Sequence, residues 1–248
     1  MQDWFVYAQW HEVAIAGWLY FQTIYFAAAL LNLSATRIVL PAMRHGGILD
    51  PRAIPRDQLR RELTLSQLSI ALFGVGILFP WTLIRLGWAA FAQSPSSWRI
   101  ALEIVALIAW NEVHFYINHR LLHTRWLRSF HTAHHRSMVT TPWATYSFHP
   151  VEALMLGNVL IFPMLVHDFS FVALLCLPIF SIVFNSIGHS NYDFLPDFHK
   201  DRWWLNGSRR HHLHHACFNG NYGFMLPFMD RLGGTTLPAD SINIRLSR

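Results

Sequence analysis

VAIAGWLYFQTIYFAAALLNL, residues Val13–Leu33, passes 21 positions without one charged side chain. A helix needs about 20 mostly apolar residues to cross the hydrocarbon of a bilayer, so this stretch makes lipid part of the protein's solvent. Buried core helices of a soluble protein also give apolar runs, but seldom one this long and unbroken. Four more runs follow: Leu68–Leu86, Ile100–Ile117, Val151–Val166 and Phe169–Ile187. The first two of these are long enough to span. The last two are joined only through His167 and Asp168. They read either as two tilted spans or as a hairpin dipping partway in. Pro163 and Pro178 should kink them, which a membrane bundle tolerates.

Composition agrees. Of 248 residues, 53% are apolar and 13% charged, whereas a soluble domain carries about 25% charged residues. The net charge is +5, but the arginines flank apolar runs instead of forming one solvated basic face, which argues against nucleic acid as a partner. Arg37, Arg44, Arg52, Arg56, Arg60 and Arg61 lie between the first two runs. Arg120, Arg125, Arg128 and Arg136 follow the third, and Lys200, Arg202, Arg209 and Arg210 follow the last. About four crossings and the excess of positive charge in cytoplasmic loops place these segments in the cytoplasm and the N-terminus outside. Residues 1–12 hold no Lys or Arg, so a cleavable leader is not expected. Cys176 and Cys217 make neither a disulfide framework nor a CxxC metal knuckle. The expected fold class is all-α: a membrane helical bundle of about four transmembrane helices, or three plus a hairpin. A cytoplasmic helical cap carries the histidines, in one domain over 1–248.

The chemistry lies in 16 histidines. His119 and His123 form HRLLH; His131, His134 and His135 form HTAHH; His211, His212, His214 and His215 form HHLHH; His189 stands in GHSNYD. Residues three and four apart share a helix face, so each cluster can aim two or three imidazoles at one point. Neutral imidazole suits Zn, Cu, Fe and Ni. One zinc takes about four ligands, so eight or nine imply two ions. The absence of thiolates argues against structural zinc, and the absence of HExxH against a zincin protease. His11, His45, His114 and His167 are isolated and read as structural or surface residues. A histidine-rich metal transporter is a rival reading, but it would place ligands near the bilayer midplane. A heme-binding electron-transfer protein, with histidines paired as axial ligands, is a second. A membrane zinc hydrolase is a third.

The ordered set HxxxH, HxxHH and HxxHH resembles the sterol desaturase and fatty acid hydroxylase superfamily. The likeness continues through TPWATYSFHPVEA (141–153), GHSNYDFLP (188–196), GSRRHHLHHACFNGNYGF (207–224) and DRLGGT (230–235). It covers roughly 100–236 and is closest to the C-4 methylsterol oxidase and C-5 sterol desaturase branches. The resemblance implies a non-heme centre of two Fe ions, with Zn as a substitute in purified protein. It also implies molecular oxygen, a lipid substrate and a separate electron donor, a reductase with ferredoxin or cytochrome. The metal ligands it implies are His119, His123, His131, His134, His135, His189, His211, His214 and His215. His212 is an extra histidine, held as a supporting residue or a further ligand. Asn185 stands where relatives can carry another histidine. His149 and Glu152, in the His-Pro-x-Glu stretch, are expected behind the ligands. Glu112, Asn111, Asp193 and Asp230 are candidates to orient the rings through their free N–H groups. Trp143, Trp203 and Trp204 read as interfacial anchors or as lining of a substrate entrance. The expected location is a bacterial inner membrane or the endoplasmic reticulum. Hydroxylation and desaturation are not distinguished by the ligand set.

Overall fold

The structure of the protein is a computed structural model and describes residues 1–195 and 206–238. Lys200, Arg202, Trp203 and Trp204 lie outside the described residues. A short helix, α1 (Gln2–Tyr7), precedes three long ones: α2 (Trp10–Ala42), α3 (Arg56–Arg85) and α4 (Ser97–Leu122). Two short helices, α5 (Arg128–His135) and α6 (Pro150–Gly157), are followed by α7 (Ile161–Val166) and the long α8 (Phe171–Gly188). The last two are α9 (Gly207–Cys217) and α10 (Phe228–Leu232). β1 (Gly47–Ile48) and β2 (Tyr192–Asp193) pair antiparallel.

The expected all-α membrane bundle is what forms. α2, α3, α4 and α8 are long and apolar enough to cross a membrane, and only 28%, 17%, 33% and 33% of their apolar windows are buried within the protein. The remaining apolar surface faces outward, with Leu31, Val75, Phe79 and Val105 all exposed. Such a surface suits lipid and not water. The irregularities follow from proline. Pro80 has no N–H for the carbonyl of Gly76, and α3 bends at Ile77. α2 loosens into a π turn, Ala35–Val39, just before Pro41.

The run Val151–Val166 is not one helix. It breaks at Asn158 into α6 and α7. Pro163 therefore lies in the first turn of α7, where its missing N–H costs nothing, instead of kinking a continuous span. α4 and α8 run parallel. Near their starts, Ser170 N donates to Glu103 Oε2 at 2.8 Å; at their ends stand His119 and His189. The chain between them must return, and Pro150–Val166 makes that return, shorter than the four long helices. The chain thus leaves the histidine end through α6 and α7 and returns to it through α8, which is itself long enough to cross a membrane.

Two apolar clusters fill the interior. One holds Val13, Leu107, Leu174 and Leu177; the other holds Tyr25, Ile70, Tyr146, Phe148 and Ile182 and lies toward the histidine end. Trp143 packs on Tyr25 and Phe26 within the bundle.

Candidate metal centre

All four histidine-bearing segments meet at one end of the bundle. Two sets of ring nitrogens gather there: His119, His123, His131, His135 and His214 in one, and His134, His189, His211 and His215 in the other, each set lying within 4.8 Å. His119 is near the end of α4 and His123 caps it, while His189 caps α8.

The sequence reading had each HxxHH cluster converge on a single point. The structure splits them. α5 gives His131 and His135 to the first set and His134 to the second. α9 does the reverse, giving His211 and His215 to the second set and His214 to the first. Helix geometry is the reason. Residues four apart stack on one face, whereas adjacent residues point about 100° apart; the His134 and His135 rings stand at 90° to each other.

The nitrogens facing inward are the Nε2 atoms. His119 to His131 is 3.1 Å, His131 to His135 is 3.0 Å, and His135 to His214 is 3.0 Å. In the second set His134 to His189 is 3.1 Å, His189 to His211 is 3.0 Å, and His211 to His215 is 3.1 Å. Outward, Nδ1 of His119, His189 and His214 meets the backbone carbonyls of Tyr222, Asn185 and Gly220 at 2.8–2.9 Å. Nδ1 of His131 meets Glu152 Oε1 at 2.8 Å.

This arrangement tests whether metal fits. A carbonyl oxygen has no proton to give, so Nδ1 of His119, His189 and His214 carries the ring hydrogen. Burial keeps the rings outside the spans neutral. It pushes His189 down to about 4 and His123 to about 2, and lowers His131, His134, His135, His211, His214 and His215 far below the usual histidine range, with neighbouring rings adding to the effect. The three carbonyl-capped rings therefore turn bare lone pairs inward. Lone pairs at such spacing repel unless a cation lies between them. Two nitrogens about 2.1 Å from one divalent ion and at right angles to it are about 3.0 Å apart, the spacing found here. Nine neutral nitrogen donors without a thiolate suit two transition-metal ions. Rings packed this closely leave no slot for a porphyrin, and donors gathered at helix ends are not the midplane ligands of a transporter.

The remaining sequence candidates take other places. His212 is buried but belongs to neither set; the charges that act on it are those of Asp50, Arg52 and Arg209. His149 caps α6, its Nδ1 accepting from Val151 N at 3.2 Å. Glu112 accepts from the backbone N–H groups of Met225 and Leu226, and Asp230 from those of Tyr222 and Gly223. Both therefore hold the loop that carries the Tyr222 carbonyl, and neither touches a ring. Asp193 binds Asn206 Nδ2 at 3.0 Å. Asn185 reaches the site through its carbonyl to His189, while its side-chain amide donates to Thr145 O. His114, His167 and His45 pair with Asn158, Glu103 and the Phe194 carbonyl. Sequence reasoning missed the Tyr222 and Gly220 carbonyls, which no side chain advertises, and Phe218, whose ring lies 4.5 Å from that of His123.

Beside the cage lies a cavity of about 410 Å³ lined by aromatic and aliphatic side chains. Its lining includes Phe115, 5.0 Å from the His119 ring; Phe148, 5.2 Å from the His134 ring; and Asn185, one turn before His189. Among the described residues no Asp, Glu, Lys or Arg lines it.

Fold and site together define an all-α membrane protein with a two-part histidine cage at one end of its bundle and an apolar chamber beside it. The chain belongs to the fatty acid hydroxylase family, whose sequence pattern matches residues 104–235 and so takes in every histidine of the cage. It is 27% identical to a Delta(7)-sterol 5(6)-desaturase of Candida glabrata, over 75% of this chain and 52% of that one. It is 32% identical to the Delta(7)-sterol 5(6)-desaturase of Saccharomyces cerevisiae, over 58% of this chain and 39% of that one. Against the lathosterol oxidase of Rattus norvegicus identity is 25%, over 73% and 62%. The chain thus spans from about two fifths to three fifths of these relatives' length. No solved structure matches it.

Proposed function

We propose that the protein is a membrane-bound lipid oxygenase that hydroxylates or desaturates an uncharged lipid at a centre of two iron ions. The observation that carries this reading is the junction of two histidine sets with an apolar chamber. His119, His123, His131, His135 and His214 would hold one ion, and His134, His189, His211 and His215 the other. Bound there, the pair of irons would use molecular oxygen and two external electrons to oxidise a C–H bond that no ordinary acid or base can attack.

The chain's own residues do the rest. Glu152 and the carbonyls of Tyr222, Asn185 and Gly220 fix which nitrogen of each ring faces inward. That sets both ring orientation and donor strength. Phe115 and Phe148 line the chamber and pack against the His119 and His134 rings, where they would seat the reacting carbon beside the cage. The chamber lining includes Phe79 and Leu154, both exposed on the apolar outer surface, so a lipid would reach it from the bilayer without crossing water. The activities for which the relatives are named, sterol desaturation and lathosterol oxidation, favour a ring lipid as substrate. Electrons come from a separate reductase with ferredoxin or cytochrome. The flanking arginines favour a cytoplasmic position for the cage, in a bacterial inner membrane or the endoplasmic reticulum.

The test is lipid mass spectrometry after expression with a reductase system. The wild-type chain is expected to add one oxygen to a host or supplied lipid, or remove two hydrogens, only under air. His134→Ala is expected to abolish the change. A product that persists without oxygen, or in His134→Ala, contradicts the reading.

A further inference from the structure

Most polar side chains on the chamber wall are already engaged. Tyr20 donates to Leu175 O at 2.6 Å, His114 pairs with Asn158 Oδ1 at 2.8 Å, and Asn185 donates to Thr145 O at 2.9 Å. Asn111 differs. It lines the same chamber, is 5% exposed, and its Nδ2 has no hydrogen-bond partner among the described residues. A buried amide N–H without a partner is costly, and such a group in a ligand chamber waits for an acceptor.

The position of Asn111 adds meaning. It stands on α4 eight residues before His119, about 12 Å along the helix axis. His114 lies one turn further toward the cage on the same helix face. The chamber therefore has one polar spot on α4, at a fixed distance from the histidines, in a wall of aromatic and aliphatic groups. With no cationic side chain in the lining, nothing there neutralises a carboxylate or phosphate. A hydroxyl or carbonyl oxygen matches the amide.

We infer that the Asn111 amide anchors the polar oxygen of an uncharged lipid and so sets which carbon lies beside the histidine cage. This rests on the reading of the chamber as a lipid site and names the group that binds the lipid's head. Asn111 is a positioning residue, because it touches the substrate far from the reacting atoms. Without it, a purely apolar chamber would hold a lipid at no fixed depth.

The experiment is equilibrium binding of tritiated lathosterol and of its 3-deoxy analogue to the purified, iron-loaded full chain in nanodiscs, with empty nanodiscs subtracted. The wild-type chain is expected to prefer lathosterol by about tenfold, because the analogue leaves the amide unpaired. Asn111→Leu is expected to reduce that preference to about twofold or less while still binding the analogue, which shows that the chamber is intact. Asn111→Gln should restore part of the preference. A wild-type chain that does not discriminate, or an Asn111→Leu chain that still does, overturns the inference. Oxygen-dependent turnover, followed separately, distinguishes the two proposals. Hydroxyl discrimination without any oxidised product sinks the oxygenase reading and leaves the anchor standing.

Discussion

Glu152 stands 2.8 Å behind the Nδ1 of His131, in the place that backbone carbonyls take for His119, His189 and His214. A carboxylate there holds the ring and makes its inner nitrogen a better donor. Glu152→Ala is expected to weaken metal binding about 10- to 100-fold, read by chelator competition on purified protein. Its neighbour His149 does other work. His149→Ala removes a helix cap and is expected to cost about 1 kcal/mol of stability, read by thermal unfolding in detergent, with the metal content unchanged. The histidine motifs made the candidate set legible, since every histidine they single out as a ligand lies in one of the two sets. How they divide was hidden, because the division depends on how α5 and α9 face each other and not on spacing within either. The carbonyl partners were invisible for a simpler reason: every residue has a carbonyl. Glu112 and Asp230 are expected from the sequence to orient rings, but their partners are loop amides that only the folded chain brings near.

At the level of helices, the tightest junction joins α2 and α3. A Cβ on Gly74 would come within 2.9 Å of the Trp18 backbone, and one on Gly17 within 3.2 Å of the Gly74 carbonyl. Small residues let membrane helices approach closely. Gly74→Val must push backbone against backbone and is expected to destabilise the bundle by about 1–3 kcal/mol, seen as a lowered unfolding midpoint. α2, α3 and α4 were legible because their apolar runs reach the length a crossing needs. The broken return through α6 and α7 was less so, since Val151–Val166 is apolar throughout. Its signal was the pair Gly157–Asn158, a poor helix interior. The Asn158 side chain then bonds His114 across to α4, a tertiary contact no local pattern announces.

Over the whole molecule, function is concentrated at one end. α2, α4 and α8 finish there, α3 begins there, and β1 pairs with β2 to tie the first connection to the segment after α8. The apolar outer surface fixes the bundle in lipid, while the cage draws on segments almost a hundred residues apart, from His119 to His215. Nine imidazoles gathered this closely would be stabilised by cations between them, so stripping metal should loosen this end first. Chelation is expected to lower the unfolding midpoint of the wild-type chain, by the linkage between ligand binding and folding. It should have little effect on a chain lacking both His134 and His135.

The most direct measurement is the number of metal ions per chain, by inductively coupled plasma mass spectrometry on protein purified from iron-supplemented cells. Two ions per wild-type chain are expected, and one in the double variant His189→Ala with His211→Ala, which empties only the four-histidine set. A single ion in the wild-type chain, or two retained by the double variant, would contradict a cage built as two separate sites.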